Sequence, residues 1–203
     1  MSTRPHPHLR RVLSLAAVGI LAGTLTACTG RGGGQLPPDG IVFKGSASFG
    51  FQFSCEDKGG LNPQAGQLRI ELSYNDRGAN PLGSSFAIHG TVDTIDPVLE
   101  SQICSGQNAP PGGNELIFLG RYRLVSSAPQ LFAPTCATRE TQTTPSCRFE
   151  VIVRDNDSNG APSPADWFQI KLSSGTALTS ELEIGTVFYT RGGLLSSGNL
   201  TVE

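Results

Sequence analysis

Apolar side chains recur at every second position along most of this chain, and that alternation leaves little room for anything but β-strands. Ala47, Phe49, Phe51 and Phe53 are spaced by Ser48, Gly50 and Gln52. Leu68, Ile70, Leu72 and Tyr74 are spaced by Arg69, Glu71 and Ser73. The pattern continues through Phe86, Ile88 and Val92, then Leu116, Phe118, Tyr122 and Leu124, then Phe149, Val151 and Val153. Phe168, Ile170 and Leu172 make a further set, followed by Val187 and Tyr189 and finally Leu200 and Val202. A period of two turns one face of a strand inward, and the aromatic and β-branched residues on that face suit a pleated, half-buried surface. With 25 glycines and 14 prolines, the chain has no window with a capped helical pattern. The spacing predicts about eight short strands in an antiparallel β-sandwich or small barrel.

Three connections are long. Residues 56–65 are rich in Gly, Asn and Pro; residues 96–114 carry Cys104 and a Pro-Pro-Gly-Gly stretch; residues 126–146 lead up to Cys147. No internal repeat of fixed period is present.

The N-terminus has a different grammar. Arg4, Arg10 and Arg11 form a basic head, an apolar run follows from Val12 to Leu25, and Leu25-Thr26-Ala27-Cys28 closes it. That order is a secretory signal, too short to span a bilayer. A cysteine at the cleavage point resembles a bacterial lipobox, which makes Cys28 the lipid-modified first residue of the mature chain. Two acyl chains or more hold a protein stably on a membrane, whereas one does not. Residues 1–27 are thus expected to be a lipoprotein signal peptide, residues 28–40 the lipidated Cys and a Gly/Pro-rich tether, and residues 41–203 one all-β domain. The expected location is extracytoplasmic, at the cell membrane or cell surface.

Loss of the signal removes three of the 15 basic residues and none of the 17 acidic ones. The mature chain is acidic and has no basic run, which argues against nucleic acid as a partner. Besides Cys28 there are four cysteines, Cys55, Cys104, Cys136 and Cys147. In an exported protein an even number reads as two disulfides, and three pairings exist. Cys136–Cys147 closes a short local loop and is favoured, leaving Cys55–Cys104. No C-x-x-C pair stands near a histidine, which counts against zinc.

The loop from Asp155 to Asp166 invites comparison with a calcium-binding template. Asp155, Asp157 and Asn159 fall at its positions 1, 3 and 5, and Gly160 at the sharp turn. Ala161 offers a carbonyl at position 7, Ser163 a hydroxyl or a water at position 9, and Asp166 a carboxylate at position 12. Position 12 is usually Glu, and strands rather than helices flank this loop. The same residues also suit a hairpin turn in which Asp and Asn accept from nearby backbone N–H groups, and the commonness of such turns favours that reading.

Signatures of catalysis are sparse. His89 is the one histidine of the mature chain, on a strand face opposite Ile88. There is no G-x-S-x-G elbow, S-x-x-K, P-loop or dinucleotide fingerprint. A carboxylate pair acting on a polysaccharide needs no local motif, and Asp76, Asp93 and Glu115 lie at strand ends. Tyr74, Tyr122 and Tyr189 fit core positions. Trp167 is out of phase with Phe168 and Ile170, which points it to the outer face.

Several short segments together resemble the post-COAP domain, a small family of exported bacterial domains. Gly45-Ser46-Ala47-Ser48-Phe49-Gly50-Phe51 is similar to its opening strand, and Gly66-Gln67-Leu68 with Tyr74-Asn75-Asp76 to its second. Val153, Asp155, Gly160, Pro162, Asp166, Phe168 and Ile170 resemble its central hairpin. Tyr189, Gly192, Leu195, Gly198, Asn199, Leu200 and Val202 resemble its closing strand pair. The resemblance implies an all-β surface module without assigned catalytic residues. The expected role is a non-catalytic binding, adhesion or structural module at the envelope, calcium-stabilised if the loop holds metal, with a glycan or envelope protein as partner. A polysaccharide hydrolase is the alternative.

Overall fold

The computed structural model describes residues 28–55, 68–91, 114–137, 147–156, 165–174 and 185–202. Nine strands form one antiparallel sheet: β1 (Cys28–Leu36), β2 (Ala47–Cys55), β3 (Leu68–Asp76), β4 (Phe86–Thr91), β5 (Glu115–Leu124), β6 (Arg148–Arg154), β7 (Trp167–Ser174), β8 (Thr186–Leu194) and β9 (Ser197–Val202). Among the described residues there is no α-helix, only a 3-10 turn at Pro134–Cys136. The order across the sheet is β8-β7-β6-β5-β4-β3-β2-β1-β9. Each strand from β1 to β8 therefore lies beside its successor, and β9 returns to the far edge, on β1. Only Leu195 and Ser196 separate β8 from β9. Two residues cannot cross a flat sheet of this width, so the sheet has to curl until its two edges meet. The result is a strongly curled half-barrel in place of two stacked sheets.

All eight strands expected from the alternation are present. Their inner positions are filled from opposite walls: Phe49 of β2 stacks on Phe168 of β7 with centroids 3.6 Å apart. Phe118 of β5 meets Phe51 and Phe53 of β2. Phe86 of β4 lies edge-on to Tyr189 of β8. From the loop after β5, Phe132 inserts against Phe86, Tyr122 and Phe188 and caps one end of the core. Each fully buried aromatic contributes about 1.5–3 kcal/mol, so this face carries most of the folding energy.

The ninth strand is the departure from expectation. Cys28–Leu36, read from its glycines as the start of a tether, is β1, hydrogen-bonded to β2 on one side and β9 on the other. The sheet therefore includes Cys28–Leu36, ahead of residue 41. The glycines have a packing reason. Gly30, Gly32 and Gly34 stand opposite Phe53, Phe51 and Phe49. A Cβ at Gly30 would lie 2.3 Å from Leu116 Cδ2, and one at Gly32 would lie 2.5 Å from the Asn199 carbonyl oxygen. Bulk supplied by β2 and β5 occupies the space that side chains of β1 would need. Gly198, at φ +110°, meets the same crowding from the other side: a Cβ there would lie 2.2 Å from the Gly33 carbonyl oxygen.

These contacts make a graded prediction. Gly32→Ala, which drives a Cβ into backbone, is expected to lower stability by about 1–3 kcal/mol. Gly50→Ala, whose Cβ has its nearest neighbour at 3.4 Å in the Ser73 hydroxyl, is expected to change it by less than about 0.5 kcal/mol. Urea midpoints of the two variants at unchanged m-value check the difference.

Candidate functional site

Two groups of polar side chains hold the curled sheet closed, and the sequence motifs fall largely within them. The first lies inside. Arg191 of β8 forms an ion pair with Asp76 at the end of β3, Nη1 to Oδ1 at 2.9 Å, with both side chains almost wholly buried. Its Nη2 donates to the carbonyl oxygens of Pro37 and Gly45, at 3.0 and 2.7 Å, in the β1–β2 connection. Its guanidinium also sits over the Phe43 ring. Tyr189 donates to Asp76 Oδ2 at 2.6 Å and accepts from Tyr74 at 2.6 Å. Asp39 shapes the connection that Arg191 grips: its Oδ1 accepts the N–H groups of Ile41, Val42 and Phe43. Those bonds, the one from Phe43 first, hold the Asp39 carboxyl below its usual pKa.

The second group lies at the base of the 155–166 hairpin. Asp166 is buried and accepts from Asn156 N at 2.9 Å through Oδ1 and from Leu200 N at 2.7 Å through Oδ2. Asp155, equally buried, accepts from Val202 N at 3.2 Å through Oδ2. Leu200 and Val202 belong to β9, whose other edge is bonded to β1. The two carboxylates thus take N–H groups that a further strand would otherwise take, and they tie β9 to the ends of β6 and β7. The calcium template placed Asp155 and Asp166 at its two ends. A metal there would have to share Asp166 with the two N–H groups already bound. Asp157, Asn159, Ala161 and Ser163 lie outside the described residues. Among the described residues no three His, Cys, Asp or Glu side chains come together as a metal centre. Sequence reasoning missed the clamp because its other half, the bare backbone of β9, carries no side-chain signal.

Of the cysteines, Cys136 and Cys147 are joined as expected, with Cα atoms 5.7 Å apart, and fasten the loop after β5 to the start of β6. Cys104 lies outside the described residues, and with it the Cys55–Cys104 pair. The backbone register sets Cys55 directly opposite Cys28. Residues 1–27, expected from the sequence to be a signal peptide, likewise lie outside the described residues.

Two of the three carboxylates considered for hydrolysis are already engaged. Asp76 is held by Arg191 and Tyr189, and Glu115 pairs with Arg154; Asp93 is outside the described residues. His89 is half-buried on the outer face, opposite Ile88, as its alternation requires. The register also gathers arginines that the linear sequence disperses: Arg121 faces Arg148, and Arg123 faces His89. Arg121 and Arg148 are both buried.

The outer face between β5 and β8 is built differently. One row across it runs Glu115, Arg154, Trp167, Leu194, and the next runs Ile117, Ile152, Gln169, Gly192. Trp167 is half-buried there, as its phase predicts, with the Arg154 guanidinium 5.0 Å from the ring centroid. Set against family models, curated proteins and solved structures, the chain matches none.

All three tyrosines of the chain are buried. Burial pushes the hydroxyls of Tyr74, Tyr122 and Tyr189 above their ordinary pKa, and for Tyr189 the neighbouring Tyr74 and Asp76 add to it. The folded state therefore keeps protons that the unfolded chain releases near pH 10. The stability this contributes is complete below that pH and falls as pH rises through it. Absorbance at 295 nm in an alkaline titration is expected to stay flat until the protein unfolds, then rise for all three tyrosines in one step coincident with loss of far-UV circular dichroism.

Proposed function

We propose that this protein is a non-catalytic module of the bacterial cell envelope, held on the extracytoplasmic side of a membrane by lipid on Cys28. The observation that carries this reading is the position of Cys28 itself. The residue that ends the lipobox is the first residue of β1, so cleavage before it leaves the folded sheet intact and sets the anchor at one end of that sheet. With no tether between them, the sheet stands directly on the membrane. We read the curled sheet as a small barrel whose interior is committed to stability: aromatic side chains and the Asp76–Arg191 pair fill it. Recognition then belongs to the outer face and the connecting loops, with an envelope glycan or protein as partner and nucleic acid excluded by charge.

The register favours a second reading at one atom. Cross-strand partners in an antiparallel pair have Cα atoms about 4.5–5.5 Å apart, within the range of a disulfide, and Cys28 faces Cys55. We propose a bridge between these two as the alternative for a chain that escapes lipidation. Mass spectrometry of the N-terminal peptide from membrane-extracted protein decides between them. A diacylglyceryl-cysteine at Cys28 is expected; a Cys28–Cys55 linked peptide would replace the anchor with a staple.

Calcium is the remaining part of the proposal, as a brace for the 155–166 hairpin. The clamp on β9 separates two effects. Asp166→Ala is expected to lower the melting temperature in EDTA as well as in millimolar calcium, because Leu200 N loses its acceptor; removing one buried acceptor costs about 1–3 kcal/mol. Asp157→Ala is expected to remove only the increment that calcium adds. A wild-type melting temperature equal in EDTA and calcium would leave the hairpin as a turn built on Asp and Asn.

A further inference from the structure

The outer face around Trp167 has features that a merely solvated sheet surface does not need. Trp167 is the chain's single tryptophan, placed in a strand at an outward position. Beside it on β8, Leu194 is 52% exposed. On its other side Arg154 covers part of the indole and is ion-paired to Glu115, with both side chains substantially exposed. That pair keeps donors and acceptors at the edge of the ring. Gln169, two residues along β7, has Gly192 as its cross-strand neighbour. A Cβ at Gly192 would come within 2.8 Å of Gln169 Cβ, so the glycine leaves the amide of Gln169 uncovered at a flat point of the sheet.

We propose that this face is a carbohydrate-binding platform. The partly exposed indole and Leu194 offer an apolar surface to the C–H face of a sugar ring. The Gln169 amide and the Arg154–Glu115 pair offer donors and acceptors to its hydroxyls, in the plane around that surface. A protein partner of ordinary affinity needs roughly 800 Å² per side with a continuous apolar centre. Here Trp167 and Leu194 are bordered by the Gln169 amide and the Arg154–Glu115 pair, and the next apolar side chains of this face, Ile152 and the 37% exposed Ile117, lie in the adjoining row beyond Gln169; an apolar surface so interrupted has the scale and polarity of one or two sugar units. The inference rests on the reading of the protein as an envelope module, where glycans are at hand.

Because Trp167 is the only tryptophan, intrinsic fluorescence reports this face alone. The full chain, kept in detergent micelles, is titrated with chitotetraose, maltotetraose and a galacturonate tetramer. At least one is expected to shift the emission saturably at millimolar concentration or below. Gln169→Ala and Leu194→Ala, both changes on the outer face, are each expected to weaken that sugar by about ten-fold, the order of one lost contact of this kind, at an unchanged melting temperature. No saturable shift with any of the three overturns the platform. So does a shift that both variants retain in full, or one that follows protein concentration instead of sugar, which would make the face a surface for self-association. The anchor is judged separately, by the mass of the Cys28 peptide, so either reading can fall without the other.

Discussion

Arg191 and Asp76 sit on strands far apart in the sheet order, β8 and β3, and their contact inside the core is possible only once the sheet has rolled up. Burying two charges costs several kcal/mol each, and their attraction offsets that cost only when the geometry is good and the remaining polar atoms are satisfied. Here Tyr189 takes the second oxygen of Asp76, and two carbonyls of the β1–β2 connection take the guanidinium. The net gain in stability from such a group is small. Its stronger effect is on what the chain cannot do. A slip of one residue in β8 would turn Arg191 outward and leave Asp76 buried without its cation, a loss of about 3–5 kcal/mol. The pair therefore selects one closure among the many that a chain of alternating strands would allow.

The carboxylates of Asp155 and Asp166 complete from outside what Arg191 begins within. Edge strands expose N–H groups that attract other strands, and proteins cover or blunt them. β9 is short, pairs with β1 along one edge, and has Leu200 N and Val202 N on the other taken by Asp166 and Asp155. This fastens the C-terminal strand to the base of the 155–166 hairpin, so that any ligand bound by the hairpin would be coupled directly to the closing strand. Stability of the closure and occupancy of the loop are in that sense one equilibrium.

Much of this was legible in the residues, and the exceptions share a cause. Eight strands could be read because an inward side chain at every second position is a local signal. So could the Cys136–Cys147 bridge, the outward Trp167 and the buried tyrosines. β1 could not be read by the same rule, because three of its inward positions, Gly30, Gly32 and Gly34, carry no side chain. Its signal was relational: the glycines at 30, 32 and 34 repeat with the period of Phe49, Phe51 and Phe53 and fit under them. A flexible linker and a strand packed beneath aromatics have the same composition, and only the partner strand tells them apart. Asp155 and Asp166 were noticed for the right reason, as acidic residues at the base of a turn, but their acceptor role depends on β9, more than thirty residues away. Arg191 gave no signal, and Asp76 was noticed only as a carboxylate at a strand end, since nothing local marks a charge that will be buried.

The placement of β1 also constrains how the protein reaches its folded state. β9, the last strand made, pairs with β1, the first, and neither edge can be completed until the whole chain is available. Long-range pairing of this kind closes late, after the loop entropy of nearly the full domain has been spent.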